Sequence, residues 1–373
     1  MHFSVLVPVQ VPVIPDEAIK RAEAANSYIA AIQQQQDEQN QQQDAIDTKN
    51  FLTRYNLQYA LAVSTPFSAA VDDAVSEVMA PYSQDASDPR FLEFDDQTEY
   101  LMNRFETETL DAISFNGKLY SLHHFPNFRR CKDGIIREVT ADGQEFLSAK
   151  AKQMMVVTVT AKEFYGTFRK YAKEHSDYCK EKKAWGSYYN PNCFWDWYSI
   201  GGRWNYALLV REDCQETADG ISGAGDTNDA PPAPKGFKWT SAARKKDICI
   251  EEMTKISIER TKEQYQKLSD MWSGAIPLDN HLSIKGDGIY SWGRRVFDPS
   301  KSISDVLAEH NYTKETAVTR IFHAYLDTVN TKPGDGENGY YDCDCCDDWE
   351  SQIADFWADL EDNDIIVTVD CHM

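Results

Sequence analysis

The run Tyr188 to Trp204, YYNPNCFWDWYSIGGRW, limits what this chain can fold into more than any other stretch. It gathers Phe194, Trp195, Trp197, Tyr198 and Trp204 around one acid, Asp196, one base, Arg203, and the pair Gly201-Gly202. Each such ring buries roughly 150–250 Å² when it packs, so a segment this aromatic predicts a structural centre and perforce a poor solvated loop. Adjacent glycines permit a backbone path closed to other residues, or the close approach of a neighbouring group. The pattern predicts two strands, within Trp195 to Val210, meeting at the glycine pair.

At 373 residues, 42% of them hydrophobic, the chain has room for one large or two ordinary domains with a real core. The opening MHFSVLVPVQVPVIP has an apolar stretch but neither a basic segment nor a small-residue cleavage site, so it reads as a buried strand and not a signal peptide. No apolar stretch approaches the length of a membrane span, which predicts no membrane partner. Nine irregularly spaced cysteines fit a reduced intracellular protein better than a disulfide scaffold. The net charge of −22 is uneven. Residues 1–110 carry 18 acids against 6 bases, 333–373 carry 13 acids and no Lys or Arg, and 111–185 carry 14 bases against 9 acids. An acidic body repels nucleic acid, which argues against direct DNA binding. The acidic ends are either a solubilising surface or a face that docks onto a basic partner.

The order of elements predicts an α+β fold, a mainly antiparallel sheet flanked by helices. His2 to Val7 reads as a strand, with Pro8 ending it or confining its tail to an edge. Residues 16–63 read as an inserted helical arm, Gln-rich from Gln33 to Gln43, and Val71 to Ala80 as a short helix. Asn116-Gly117, Asp133-Gly134 and Asp142-Gly143 are hairpin signals. Met154 to Thr160 reads as a strand running into a helix over Lys162 to Lys183. Gln215 to Lys235 is a loop, a possible boundary between subdomains near 215–240 of a body formed by 1–15 and 64–373. Helix is expected in Ser241 to Met253, Ser257 to Trp272, Ile303 to Val329 with a break near Asn311, and Trp349 to Leu360. Ile365 to Val369 is a terminal strand, expected beside His2 to Val7.

Several segments together resemble an uncharacterised family carried by tailed phages, prophages and bacteria. They are the opening strand His2 to Val7, the element Met79 to Asp85, the motif Asn190 to Trp204, the cluster Lys245-Lys246-Asp247-Ile248, and the ending Val369-Asp370-Cys371-His372. Gln84 departs from the pattern, where an acid is usual, and so does the insertion 16–63. The resemblance implies a phage-type origin and action in the host cytoplasm; it supplies no activity.

Candidate chemistry lies in three places. Asp370 and His372 are two apart on a strand, so they project from one face, and His2 comes near if the terminal strands pair. Such a set serves as a general acid/base pair or as metal ligands, or it merely ends an exposed strand. Around the glycines, Arg203 would grip a phosphate or carboxylate while Trp197, Tyr198 and Trp204 stack a base, with Lys245 and Lys246 adding cationic contacts. The alternative is an ion pair of Asp196 with Arg203 across a hairpin. Cys343, Cys345 and Cys346 lie among four aspartates and offer zinc ligands, although C-x-C-C lacks the spacing that wraps a tetrahedral ion. P-loop, H-E-x-x-H and G-x-S-x-G signatures are missing.

The resemblance implies a phage-encoded cytoplasmic accessory protein that modulates a host process, and with the acidic surfaces and the aromatic-Arg centre it leads to the expectation of a host-defence antagonist binding a host protein or a nucleotide-like ligand. The alternatives are an enzyme on a nucleotide or nucleic-acid substrate with an Asp/His/Arg site, and a structural or virion-associated protein.

Overall fold

A computed structural model describes residues 2–40, 51–222, 230–322, 324–326 and 349–372. The chain divides into two compact units, one formed by 1–86 with 191–373 and the other by 87–190. The boundary suggested near 215–240 therefore lies inside the first unit. Strands at Thr217–Ala218 and Ile221–Ser222 within that stretch join the first unit's main sheet.

That sheet has seven strands among the described residues, numbered here in chain order. They are β1 His2–Val9, β2 Trp197–Gly202, β3 Thr217–Ala218, β4 Ile221–Ser222, β5 Ala242–Arg244, β6 Ala324–Tyr325 and β7 Ile365–His372. The first and last strands pair antiparallel along their whole length, from His2 opposite His372 to Val9 opposite Ile365. The other edge of β7 is shared. β5 takes its start, from Ile365 to Val367, and β2 takes its end, from Val369 to His372. Pro8 does not end β1. Its parallel pairing with β6 is at Val5 and Leu6, so Pro8 falls past that ladder, where a missing donor is tolerated.

Period-two alternation sorts the residues of these strands. Phe3, Val5, Val7 and Val9 with Ile365, Val367, Val369 and Cys371 enter one core. Helices α1 Asp16–Asn40, α2 Phe51–Ala62 and α3 Pro66–Met79 add to that core, together with Phe194, Ala218, Ala242 and Ala324. The segment expected as an arm thus joins this core through small residues, Ala18, Ala25 and Ala60, with α1 packed against α2 and α3. On the opposite face Leu6, Ile366 and Ala243 enter a second core with Leu209, Val318, Phe322, Tyr325 and Ile353. Each fully buried Val, Leu or Ile in these layers is worth roughly 1.5–3 kcal/mol relative to exposure. On that second face the pattern turns polar toward one end, with Ser4, Thr368, Asp370, His2 and His372.

Three sequence expectations change here. Among the described residues of the stretch expected as helix from Ile303 to Val329, helix covers Ile303–His310 and Lys314–Thr319, and Ala324–Tyr325 is strand β6. The glycine pair does not join two strands of a hairpin: the strand Leu208–Arg211 pairs with Phe237–Thr240, and β2 pairs with β7 and, in parallel, with β4. Ser241 to Met253 opens as strand β5, because Ala242 and Ala243 extend the sheet, and one helix, α4 Ile250–Ser273, follows.

In the second unit, strands Thr109–Phe115 and Lys118–Tyr120 pair across Asn116-Gly117, and Thr109–Phe115 also pairs with Met155–Thr160. Phe128–Arg130, Ile136–Val139 and Glu145–Phe146 pair in succession across Asp133-Gly134 and Asp142-Gly143. The helix expected over 162–183 is broken at Gly166, whose φ of 74° ends Ala161–Tyr165, and Phe168–His175 follows. Tyr171 is fully buried; burial first, and then its hydrogen bond to Glu108, push its hydroxyl up to about 12. Burial and the charge of Asp72 do the same for Tyr59. Raised pKa values mean that these hydroxyls stabilise the fold below the ordinary tyrosine range and lose that contribution as pH rises toward 12. Absorbance titration should therefore show a late tyrosine fraction that shrinks in Tyr59→Phe and Tyr171→Phe; unchanged curves would refute the assignment.

Candidate functional site

The polar end of the sheet brings three adjacent strands together. His372 of β7 lies opposite His2 of β1 on one side and Trp197 of β2 on the other. Directly opposed residues on neighbouring strands sit about 4.5–5.5 Å apart at Cβ, close enough for their rings to meet. The His2 and His372 ring centres are 4.8 Å apart, edge to face, and the Trp197 indole lies nearly parallel to His372 at 5.7 Å. Trp197 also meets His2 edge-on at 5.2 Å and keeps 45% of its surface exposed.

Each histidine is held by a carboxylate. His2 Nδ1 is 3.0 Å from Asp370 Oδ1, and His372 Nδ1 is 2.8 Å and 3.0 Å from the two oxygens of Asp196. A carboxylate only accepts, so Nδ1 of each ring carries the donated proton and Nε2 is left as the second ring nitrogen. Among the described residues neither Nε2 has a hydrogen-bond partner. The two acids are not equivalent. Asp370 is 1% exposed and its second oxygen accepts the Arg203 backbone N–H at 3.0 Å. Asp196 is partly exposed and fixed by the backbone: its N–H donates to the His372 carbonyl at 3.0 Å, and its carboxylate accepts the Trp197 N–H at 2.8 Å. The hydrogen bond from His372 is the main cause that lowers the Asp196 pKa. A depressed carboxylate pKa means this pair's contribution is complete above the ordinary aspartate range, near 3.9, and fades as pH falls through the folded value.

The glycines explain how a carboxylate fits here. Gly202 has φ of 54°, and a Cβ on it would stand 2.4 Å from both Cβ and Oδ2 of Asp370. Gly201, at φ of 77°, would put a Cβ 2.7 Å from Asn205 Oδ1. The pair bends the end of β2 around Asp370 and delivers the Arg203 N–H to it. Asn205, which no charge or periodicity singled out, stabilises the turn: its side chain accepts the N–H groups of Tyr206 and Gly220 and donates to the Gly220 carbonyl.

The expected site residues therefore separate. His2, Asp196, Trp197, Gly202, Arg203, Asp370 and His372 come together. Asp196 does not pair with Arg203, because His372 takes its carboxylate; the Arg203 side chain is exposed, with no ion pair among the described residues. Tyr198 points to the other face, where its hydroxyl donates to Ser76 Oγ at 3.1 Å and its ring packs on Trp195. Trp204 is half-buried, and its N–H donates to the Gly201 carbonyl. Lys245 and Lys246 belong to the far end of β7, seven residues or about 23 Å of strand away. There Lys245 donates to the Leu360 carbonyl at 2.5 Å, and Lys246 to Asn363 Oδ1 at 2.8 Å. They secure the residues that follow helix Trp349–Asp359 and make no contribution to the cluster.

The two motifs at 79–85 and 190–204 meet physically. Trp195 Nε1 donates to the Met79 carbonyl, the Phe194 N–H to the Tyr82 carbonyl, and the Gln84 N–H to the Trp195 carbonyl. Cys343, Cys345 and Cys346, with the acidic residues 335–348 that suggested a basic partner, lie outside the described residues. Among the described residues no group of three or more His, Cys, Asp or Glu is placed to hold a metal ion, and no helix is long and apolar enough to cross a membrane. No family model matches the chain, and neither the search of curated proteins nor that of solved structures finds a match.

Proposed function

We propose that the chain hydrolyses a phosphate ester of a nucleotide-like substrate by general acid–base catalysis with two histidines. One observation carries this reading: two imidazoles side by side, each held at Nδ1 by its own carboxylate, with both Nε2 atoms left for a substrate. A carboxylate on Nδ1 fixes the tautomer and stabilises the ring once protonated. The neutral ring takes a proton from water as its oxygen attacks phosphorus. The protonated ring gives its Nε2 proton to the departing oxygen as that P–O bond breaks. Water and ester are consumed, an acid and an alcohol leave, and the rings have exchanged protonation states. A half-exposed indole beside them offers a face for a base, and the exposed guanidinium of Arg203 a partner for phosphate oxygens. The acidity of the chain favours a small substrate over duplex nucleic acid. In the phage-type setting that the resemblance implies, such hydrolysis would act on a host nucleotide, as an accessory function in the host cytoplasm.

The test uses chromogenic phosphate mono- and diesters together with linear and cyclic mono- and dinucleotides, products being resolved by chromatography. One substrate class should be turned over with a bell-shaped pH profile, as an acid and a base acting together require. If no compound is turned over faster than by the His2→Ala/His372→Ala double variant, the reading fails and the cluster is a clasp between the first and last strands.

A further inference from the structure

The second unit holds a box of rings around a cation. The Lys150 ammonium lies 5.2 Å from the ring centre of Phe128, 5.3 Å from that of Phe125 and 5.9 Å from that of Phe115. These rings stand almost at right angles, Phe115 to Phe125 at 85° and Phe125 to Phe128 at 75°, each pair with centres 6.0 Å apart. Tyr120 backs the box, edge to face with Phe125 at 5.4 Å. Three differently oriented faces on one ammonium exceed what packing a lysine stem over a core requires. They form the arrangement that replaces the hydration of a cation by ring quadrupoles. The Lys150 side chain has no ion pair or hydrogen bond among the described residues, so the rings are its only recorded partners. Their positions come from separate elements, Phe115 at the end of one strand, Phe128 at the start of another and Phe125 just after the 3-10 helix Leu122–His124. Phe125 is buried in the local core with Ile113, Ile136 and Met154, so the box is built on packed residues.

We propose that Phe115, Phe125 and Phe128 form a quaternary-ammonium site, closed in this structure by Lys150 of the same chain. A trimethylammonium group suits such a box better than a primary ammonium, because its charge is spread over methyl groups and it loses less hydration. Lys150 is exposed and lies in a turn, so its side chain can leave without disturbing a helix or strand. The proposal stands apart from the histidine cluster and does not depend on it.

Calorimetric titration of the full chain with tetramethylammonium and with choline tests it. Lys150→Ala should bind both at least about tenfold more tightly than the unaltered chain, since the competing cation is gone. Phe128→Leu added to Lys150→Ala keeps apolar volume but removes one face, and should weaken binding about tenfold or more. The neutral isostere 3,3-dimethylbutan-1-ol should bind at least about tenfold more weakly than choline. Equal binding of choline and the isostere by Lys150→Ala would overturn the proposal by showing an apolar pocket. No binding by a Lys150→Ala chain that melts like the unaltered one would overturn it equally. If choline binds, vesicles bearing phosphocholine headgroups and a trimethyllysine peptide, compared side by side, show which source of the group the site accepts.

Discussion

Asp370→Asn should lower turnover by about 10²–10⁴-fold while leaving the chain folded. Asp370 accepts two hydrogen bonds, one from His2 Nδ1 and one from the Arg203 N–H, and it is almost wholly buried. An asparagine oxygen can serve only one of these donors well; its amide then faces the other as a second donor. The His2 ring must turn or change tautomer, which removes the proton acceptor from the place where water would stand. Asp370→Ala is harsher, because it leaves a buried N–H and an imidazole without their acceptor, at a cost of about 1–3 kcal/mol for each orphaned group. Asp196→Asn perturbs a more exposed pair and should cost less in rate than Asp370→Asn. The comparison is made on steady-state rates alongside thermal melts. Equal rates for Asp370→Asn and the unaltered chain on whichever substrate that screen identifies would exclude His2 from the chemistry. A loss of rate that merely tracks the melting temperature would assign Asp370 a structural role alone.

The second large effect is on the fold. Gly202→Ala should destabilise the first unit by about 2–5 kcal/mol, combining left-handed backbone strain of about 1–2 kcal/mol with overpacking of about 1–3 kcal/mol. Gly236 separates the two contributions. Its φ is 84°, so alanine is strained there too, but no atom lies within 4 Å of the added Cβ. Gly236→Ala should therefore show the strain alone, and Gly202→Ala a clearly larger fall in melting temperature, on the order of 5–10 °C. The Gly202→Ala chain should also lose the hydrogen bond from the Arg203 N–H to Asp370, visible as faster exchange of that amide. If both variants melt together, the close approach of Asp370 is not what requires a glycine at 202.

Several features were legible before any coordinates. Alternation in HFSVLVPV and IIVTVDCH marks both as strands with one apolar face, and it places Asp370 and His372 on the same side. Asn-Gly and Asp-Gly pairs mark the three hairpin turns of the second unit, because positive φ angles suit those residues. The aromatic run announces a structural centre because that much ring area has to be buried. Less was legible around the glycines. Two short strands near a Gly-Gly pair look like a hairpin, yet β2 finds its neighbour in a strand more than 160 residues later. The continuation of β5 from a helical-looking stretch has the same cause: Ala242 and Ala243 are good helix formers, and a free sheet edge outweighs that propensity.

By itself, the order of residues determined which faces are apolar, where turns occur, and that an acid and a histidine two apart share a side. Those are local properties, governed by the helical and strand repeats and by steric limits at each residue. Only the tertiary structure decided that His372 takes Asp196 from Arg203, that Asp370 serves His2, and that the lysines at 245 and 246 end up at the far end of the strand. Partner choice among charged groups depends on strand order and register, and these are set by which long-range pairing buries most apolar surface.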